Sequence, residues 1–362
     1  MQTWCLHQER KGDRRRFKPV PSGLRPESSV GRPWPVTMPD MSASPASAAT
    51  PIVPLHALPW PARAARAWRM TRPGFLVITP VACAIGLAAA TTCGCGFNAT
   101  LAVATVLLAT LAHAAANVLN DYEDAVSGAD TANRGAIAPF TGGAGFIQRG
   151  EASPLQTRTL ARLLGVVLVG AGLVLAAQAG GGLLLIGLAG VLLGWAYSSP
   201  PLQLMARGLG ELAVALAWWL VVIGADYVQR RHFFWMPAAV GLAYALLVAN
   251  ILLANGLPDA AGDAAVGKRT LAVRLGPRGA ALLYAWLALL AHAWVAAGVA
   301  LVVLPQAALW ALVSAPLSLA ATLLILRRAA TPAQLKPALV LTITACVVHG
   351  VAMAAGLLTV GS

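Results

Sequence analysis

The sequence predicts an all-α fold: a polytopic membrane protein with about nine transmembrane helices around a central cavity. Three observations predict it. Of 362 residues, 58% are apolar and only 11% charged, where soluble domains carry about 25% charged residues. Nine apolar stretches are each long enough to cross ~30 Å of hydrocarbon at ~20 helical residues per span. Six of the nine carboxylates beyond residue 72 gather at the ends of two of those stretches.

The chain divides in two by composition. Residues 1–72 hold 12 Lys/Arg against 4 Asp/Glu and are rich in Pro, Ser and Arg, so much of the net charge of +13 sits in one fifth of the length. This segment shows no helical apolar period and no apolar core of a signal peptide. Residues 1–70 are therefore expected to be a disordered basic extension, and 71–362 the membrane domain. The stretch around Met38 and Met41 reads as an equally good start, so residues 1–37 are expected to be an extension of the gene model, which the intact mass of the native protein tests. The basic run "RRRFK" (14–18) reads as a solvated tail, with no nucleic acid expected as partner. The five cysteines include no CxxC pair, which argues against a zinc or redox site.

The spans are expected near 74–92, 99–120, 158–178, 181–198, 209–227, 234–257, 279–303, 306–326 and 337–359. Glycines within them suit close helix packing in lipid. Arg63, Arg66, Arg69 and Arg72 precede span one, and Arg134, Arg149, Arg158 and Arg162 follow span two. Arg207 follows span four, Lys268, Arg269, Arg274 and Arg278 follow span six, and Arg327, Arg328 and Lys336 follow span eight; the opposite loops hold only Arg230 and Arg231. That asymmetry places the N-terminus in the cytoplasm and the C-terminus outside, in a plasma (inner) membrane.

The carboxylates carry the functional reading. Asp121, Glu123, Asp124 and Asp130 end span two, and Asp259 and Asp263 end span six, on the same side of the membrane. Charge at a membrane edge is costly and defaults to function. Asn117, Asp121 and Asp124 follow i, i+4, i+7, Asn120 and Asp124 are i, i+4, and Asn255, Asp259 and Asp263 step by four. Pro258 is expected to bend or end span six. Two carboxylates one turn apart repel unless a cation lies between them. An all-oxygen donor set suits Mg²⁺, which takes one or two carboxylates together with substrate phosphates. Two such faces across a cavity make a site for a Mg²⁺-diphosphate. A second reading of the same residues is a cation transporter or channel with the aspartates lining the ion path.

Three blocks, in order, resemble the UbiA superfamily of membrane prenyltransferases. "NDYEDAVSGAD" (120–130) resembles its first aspartate-rich motif, and "YSSPPLQLMARGLGEL" (197–212) its aromatic-Ser-x-Pro-Pro segment. "NGLPDAAGDAAVGKRTLAVRLG" (255–276) resembles its second aspartate motif, with DxxxD and a trailing GK-TL. The resemblance covers roughly residues 72–359, and its wording is closest to the branch that prenylates 1,4-dihydroxy-2-naphthoate for menaquinone. Two departures stand out: the usual last aspartate of the first motif would fall at Gly128, with Asp130 two residues on, and 137–150 differs from the simplest pattern. The resemblance implies nine helices around a cavity and Mg²⁺-dependent transfer of a polyprenyl group from its diphosphate to an aromatic acceptor within the lipid bilayer. It makes Asp121, Asp124, Asp259 and Asp263 the metal-binding and catalytic set, with Asn117 and Asn120 beside them.

Lys268 either binds phosphate or is an ordinary cation of the cytoplasmic side, and Arg134 and Arg149 either cap the diphosphate or are ordinary loop cations. Arg72 either contacts phosphate or anchors span one. Tyr197 either orients the acceptor ring or marks the membrane interface. His113 reads as a packed, hydrogen-bonded histidine, Glu211 as a carboxylate favoured by a helix N-terminus, and Asp226 as the partner of Arg230.

Overall fold

A computed structural model describes residues 57–94 and 96–360. The readings made for residues 1–56, including the alternative start, fall outside the described residues. The elements are α1 (Trp60–Met70), α2 (Pro73–Leu76), α3 (Ile78–Thr91), α4 (Ala99–Ser127), α5 (Ala129–Ala132), α6 (Pro154–Ala179), α7 (Gly182–Ser198), α8 (Gly210–Arg230), α9 (Trp235–Ala265) and α10 (Leu271–Ala300). A 3-10 stretch, Gln306–Ser314, runs into α11 (Ala315–Arg328), and α12 (Lys336–Leu358) ends the bundle. No strand occurs among the described residues.

Among them, eight helical segments are long and apolar enough to cross a membrane, counting α2–α3 as one and Gln306–Arg328 as another. The ninth apolar helix, α7, has 17 residues and reaches about 26 Å at 1.5 Å per residue. All nine expected spans are therefore helical. The chain is a multi-pass membrane protein, and its surface fits that: Leu163, Val166, Leu282, Trp286 and Leu289 are exposed on the bundle's outside.

Local chemistry sets the boundaries. The Asn98 side chain caps α4 by accepting from the Leu101 N–H at 3.0 Å. Ser153 and Gln156 form a capping box at the start of α6, with Pro154 in the first turn. A non-helical Gly276 before Pro277 breaks α10 near its start. Helix α9 is the hub, packing against α8, α10, α3 and α12. Its Tyr244 hydroxyl donates to the Ile78 carbonyl at 2.6 Å, and its Asn250 amide donates to the Tyr284 carbonyl at 3.0 Å. In hydrocarbon such polar groups have no water to turn to, so internal partners are obligatory.

Two expectations need correction. Residues 60–70 form a helix rather than disordered chain: Ala and Arg favour helix, and Met70 at its end is buried with Val118 and Phe146. Of the two outcomes expected at Pro258, a bend or an end, the end is overturned: α9 continues to Ala265, because the helix is held by packing on several sides. Cys83 and Cys346 are free and buried.

Candidate active site

The cavity lies among α3, α4, α7, α8 and α9 and has a volume of about 290 Å³. Two helices present it with polar stripes. On α4 the wall residues are Ala109, Ala112, His113, Ala116, Asn117, Asn120 and Asp124; on α9 they are Val248, Ile251, Leu252, Asn255, Gly256, Asp259 and Asp263. Each stripe repeats at three and four residues, the period of one helix face, and turns from apolar to polar toward the same end of the bundle. The rest of the wall is largely apolar, with Phe75, Ile78, Val214, Trp218 and Val221.

At the polar end Lys268 joins the two stripes. It is only 9% exposed. Its ammonium donates to Asp124 Oδ1 at 2.6 Å and lies 3.5 Å from Asp263 Oδ1. Burial alone would lower its pKa, but the Asp124 and Asp263 carboxylates outweigh burial and hold it above its ordinary value. Asn120 donates to Asp124 Oδ2 at 3.2 Å and to Ser198 at 3.3 Å. Asp259 accepts from the Asn133 amide at 2.5 Å and from the Gly142 N–H at 3.4 Å.

Asp130 also lines this end. Gly128 explains how. It ends α4 with φ 81°, a conformation that Gly adopts without penalty. The chain then turns through α5, and the carboxylate two residues on returns to the cavity. Burial, then the charges of Asp124 and Asp121, push the Asp130 carboxyl up to about 7.

The other expected residues divide. Asn117 lines the cavity and donates to the Thr71 carbonyl at 3.0 Å. Arg72 lines it from a left-handed backbone position (φ 58°), donating to the Phe140 carbonyl at 3.1 Å with its guanidinium over the Phe75 ring. Tyr197 lines it too. Asp121 does not stand on the cavity wall; it faces the loop that follows α5. Arg134 is exposed and off the wall, and Arg149 pairs with Glu151 and donates to the Ala144 carbonyl, also off the wall.

Asn133, Gly142, Asn255 and Glu211 are wall residues to which the sequence reading gave no role here. Asn255 was visible in it, as the first member of the i, i+4 series. Asn133 and Gly142 come from a loop, where no periodicity signals a facing direction. Glu211 is in the first turn of α8, as expected, but is also 8% exposed on the cavity wall. His113 is a packed histidine as expected, 2.8 Å from the Thr79 hydroxyl and edge-on to Trp218, although it too touches the cavity. Asp226 pairs with Arg230 at the opposite end of the bundle. The remaining spanning carboxylates cluster at one end, which does not make an ion path through the membrane.

The donor set is oxygen-rich and fits a hard divalent cation. Among the described residues no three acidic, His or Cys side chains already form a metal cage. Mg²⁺ does not require one, since it binds through one or two carboxylates, waters and substrate phosphates. The buried Asn255 Oδ1, which has no hydrogen-bond partner, adds an oxygen donor to that set.

Comparison with known proteins gives a family and a fold. The model of the UbiA prenyltransferase family matches residues 77–344. The 1,4-dihydroxy-2-naphthoate octaprenyltransferase of Mycobacterium tuberculosis is 32% identical over 248 residues, covering 67% of this chain and 80% of that protein. The Escherichia coli enzyme of the same name is 30% identical over 221 residues, 58% of this chain and 69% of its own. A UbiA homologue from Archaeoglobus fulgidus, solved with GPP and Mg²⁺, superposes with a TM-score of 0.54 at 17% identity, covering 80% of this chain and 99% of that one.

Proposed function

The chain belongs to the UbiA prenyltransferase family, an enzyme transferring alkyl groups other than methyl, and on that premise we propose its specific reaction: Mg²⁺-dependent transfer of a polyprenyl group from its diphosphate to an aromatic acceptor, 1,4-dihydroxy-2-naphthoate being favoured, on the route to menaquinone. The observation that carries the reading is the pair of polar stripes on α4 and α9, carrying Asp124, Asp259 and Asp263 and joined by Lys268, at one end of a cavity that is largely apolar beyond them. A diphosphate with a long hydrocarbon tail has the same division of polarity. The acceptor is supported by the names of the relatives, and the metal by the all-oxygen donor set and by the Mg²⁺ of the A. fulgidus homologue.

Asp124, Asp259 and Asp263, with Asp130 beside them, would hold the metal. Bound Mg²⁺ would supply positive charge against the leaving diphosphate. Lys268 and Arg72 are the cationic side chains on the wall, and they neutralise phosphate oxygens as the allylic C–O bond breaks. Phe75, Val214, Trp218 and Val221 exclude water from the resulting carbocation, and aromatic faces suit a cation. Glu211, on the cavity wall, takes the acceptor's hydroxyl proton as the ring carbon forms the new C–C bond. The diphosphate leaves with the electron pair of the broken C–O bond, and the ring regains its aromaticity when the attacked carbon releases its hydrogen as a proton while the oxygen is reprotonated. The Arg-rich loops favour this end of the bundle facing the cytoplasm, where a charged diphosphate arrives from water.

The test uses the purified full chain in nanodiscs with a radiolabelled polyprenyl diphosphate, Mg²⁺ and a panel of aromatic acceptors, with and without EDTA. A prenylated naphthoate formed only with Mg²⁺ is the expected result. Neither product nor diphosphate binding under any condition would overturn the reading.

A further inference from the structure

The aspartates of the first motif do not share one environment. The cavity-facing stripe of α4 centres on Asn120, and a helix turns about 100° per residue. Asp121 therefore points to the flank of the stripe, toward the loop that follows α5. It is 8% exposed. Its Oδ2 accepts from the Ala144 N–H at 3.1 Å. Its Oδ1 is buried without a hydrogen-bond partner. The carboxylate borders a separate void of about 10 Å³, lined by Met70, Phe146, Gln148 and Thr157 among others, which is close to the room one water needs.

The loop that Asp121 touches is itself part of the cavity wall: Phe140, Thr141, Gly142 and Gly143 line it. The Gly142 N–H reaches Asp259, and the Gln148 amide reaches Asp130 Oδ2 at 3.1 Å. Gly143 has φ 67°, and a Cβ there would come within 3.0 Å of both Asp121 Oδ1 and Asp130 Oδ2. The loop backbone is thus fitted between carboxylates of α4, α5 and α9, and Asp121 meets it from beside the cavity.

Given the prenyl-transfer reading above, we propose that Asp121 is a positioning residue: through the Ala144 N–H it holds the Gly142–Gly143 turn in the cavity wall, and it is not among the ligands of the metal. An Asn at this position keeps an oxygen that accepts from Ala144 and puts an NH₂ group on the side of Asp130. It cannot replace a carboxylate ligand of a divalent cation.

The test compares D121N, D121A and D124N in the full chain in nanodiscs. Three quantities are read: Mn²⁺ affinity by electron paramagnetic resonance, hydrogen–deuterium exchange of the 141–149 segment without metal, and transfer kinetics. D121N is expected to keep Mn²⁺ affinity and kcat/KM within about fivefold of the parent, the worth of one altered hydrogen bond. D121A is expected to keep Mn²⁺ affinity, speed exchange in 141–149, and lose about 10- to 100-fold in kcat/KM, with KM for the diphosphate raised. D124N is expected to lose at least about tenfold in Mn²⁺ affinity with loop exchange unchanged.

A D121N that loses Mn²⁺ affinity as D124N does would make Asp121 a ligand and overturn the proposal. So would a folded D121A whose loop exchanges as in the parent. If D121A does not fold, D121N decides through Mn²⁺ affinity. A parent that binds Mn²⁺ but transfers to no acceptor would count against the proposed reaction, while the affinity and exchange readings would still decide the role of Asp121.

Discussion

At the scale of residues, the site is organised by one ammonium. Lys268 offsets Asp124 and Asp263 across two helices, and removing one partner of a buried charge network leaves the others uncompensated. K268A is expected to lower kcat/KM by about 100-fold or more, the usual worth of a charged group that stabilises a developing anion. A drop of only a few-fold in steady-state assays would mean that Lys268 is a structural cation and no phosphate ligand. Glu211 carries a different expectation. E211Q keeps shape and hydrogen bonding but loses basicity, so kcat should fall about 100-fold, in the range of general-base catalysis, with KM for the diphosphate unchanged. An equal loss through KM alone would place Glu211 in binding and not in proton transfer. Both residues were present in the sequence reading, Lys268 with phosphate binding as an expected role and Glu211 with only the helix dipole to explain it. The difference is physical. Lys268 follows the acidic series in sequence, whereas Glu211 meets the cavity only because α8 packs against α9 and α7.

At the scale of elements, helix packing sets how close the stripes come. Gly86 of α3 lies against α8 so tightly that a Cβ would fall 2.1 Å from the Val222 carbonyl oxygen, the close approach that small residues allow between membrane helices. G86A must push the backbones apart and should destabilise the bundle by roughly 1–3 kcal/mol, as overpacking does. Thermal unfolding in detergent reads this as a lowered midpoint; an unchanged midpoint would contradict the packing account. The nine spans were legible because hydrocarbon demands long apolar helices whatever the tertiary fold. The tips of α4 and α9 were not. Hydropathy falls at Asp121 and at Asp259, yet both helices run on, to Ser127 and Ala265, because packing continues past the apolar run. The same limit applies to direction. Asn117, Asp121 and Asp124 satisfy i, i+4, i+7, but that spacing spans enough arc for Asp121 to leave the cavity while its neighbours stay. In the loop after α5 there was no period to use, so a place over the diphosphate stayed open for Arg134 and Arg149, and the structure places neither on the wall.

At the scale of the whole molecule, polarity is graded along the cavity: carboxylates, amides and Lys268 at one end, Phe75, Trp218 and aliphatic side chains beyond. The opposite end of α8 has its one carboxylate, Asp226, closed by Arg230. On the proposed reaction, that gradient would align an amphiphilic substrate with its diphosphate at the polar end and its tail among the spans. It also separates the site from a conduction path, which would need polar groups through the midplane. The measurement that tests this most directly is product formation by the parent and by D259N, followed by mass spectrometry with a polyprenyl diphosphate and 1,4-dihydroxy-2-naphthoate. Each is assayed in Mg²⁺, after EDTA, and after Mg²⁺ is restored. The account predicts a prenylated product from the parent that disappears with EDTA and returns with Mg²⁺, and none from D259N under any of the three conditions. Product that persists in EDTA, or that D259N forms at the parent's rate, would contradict it.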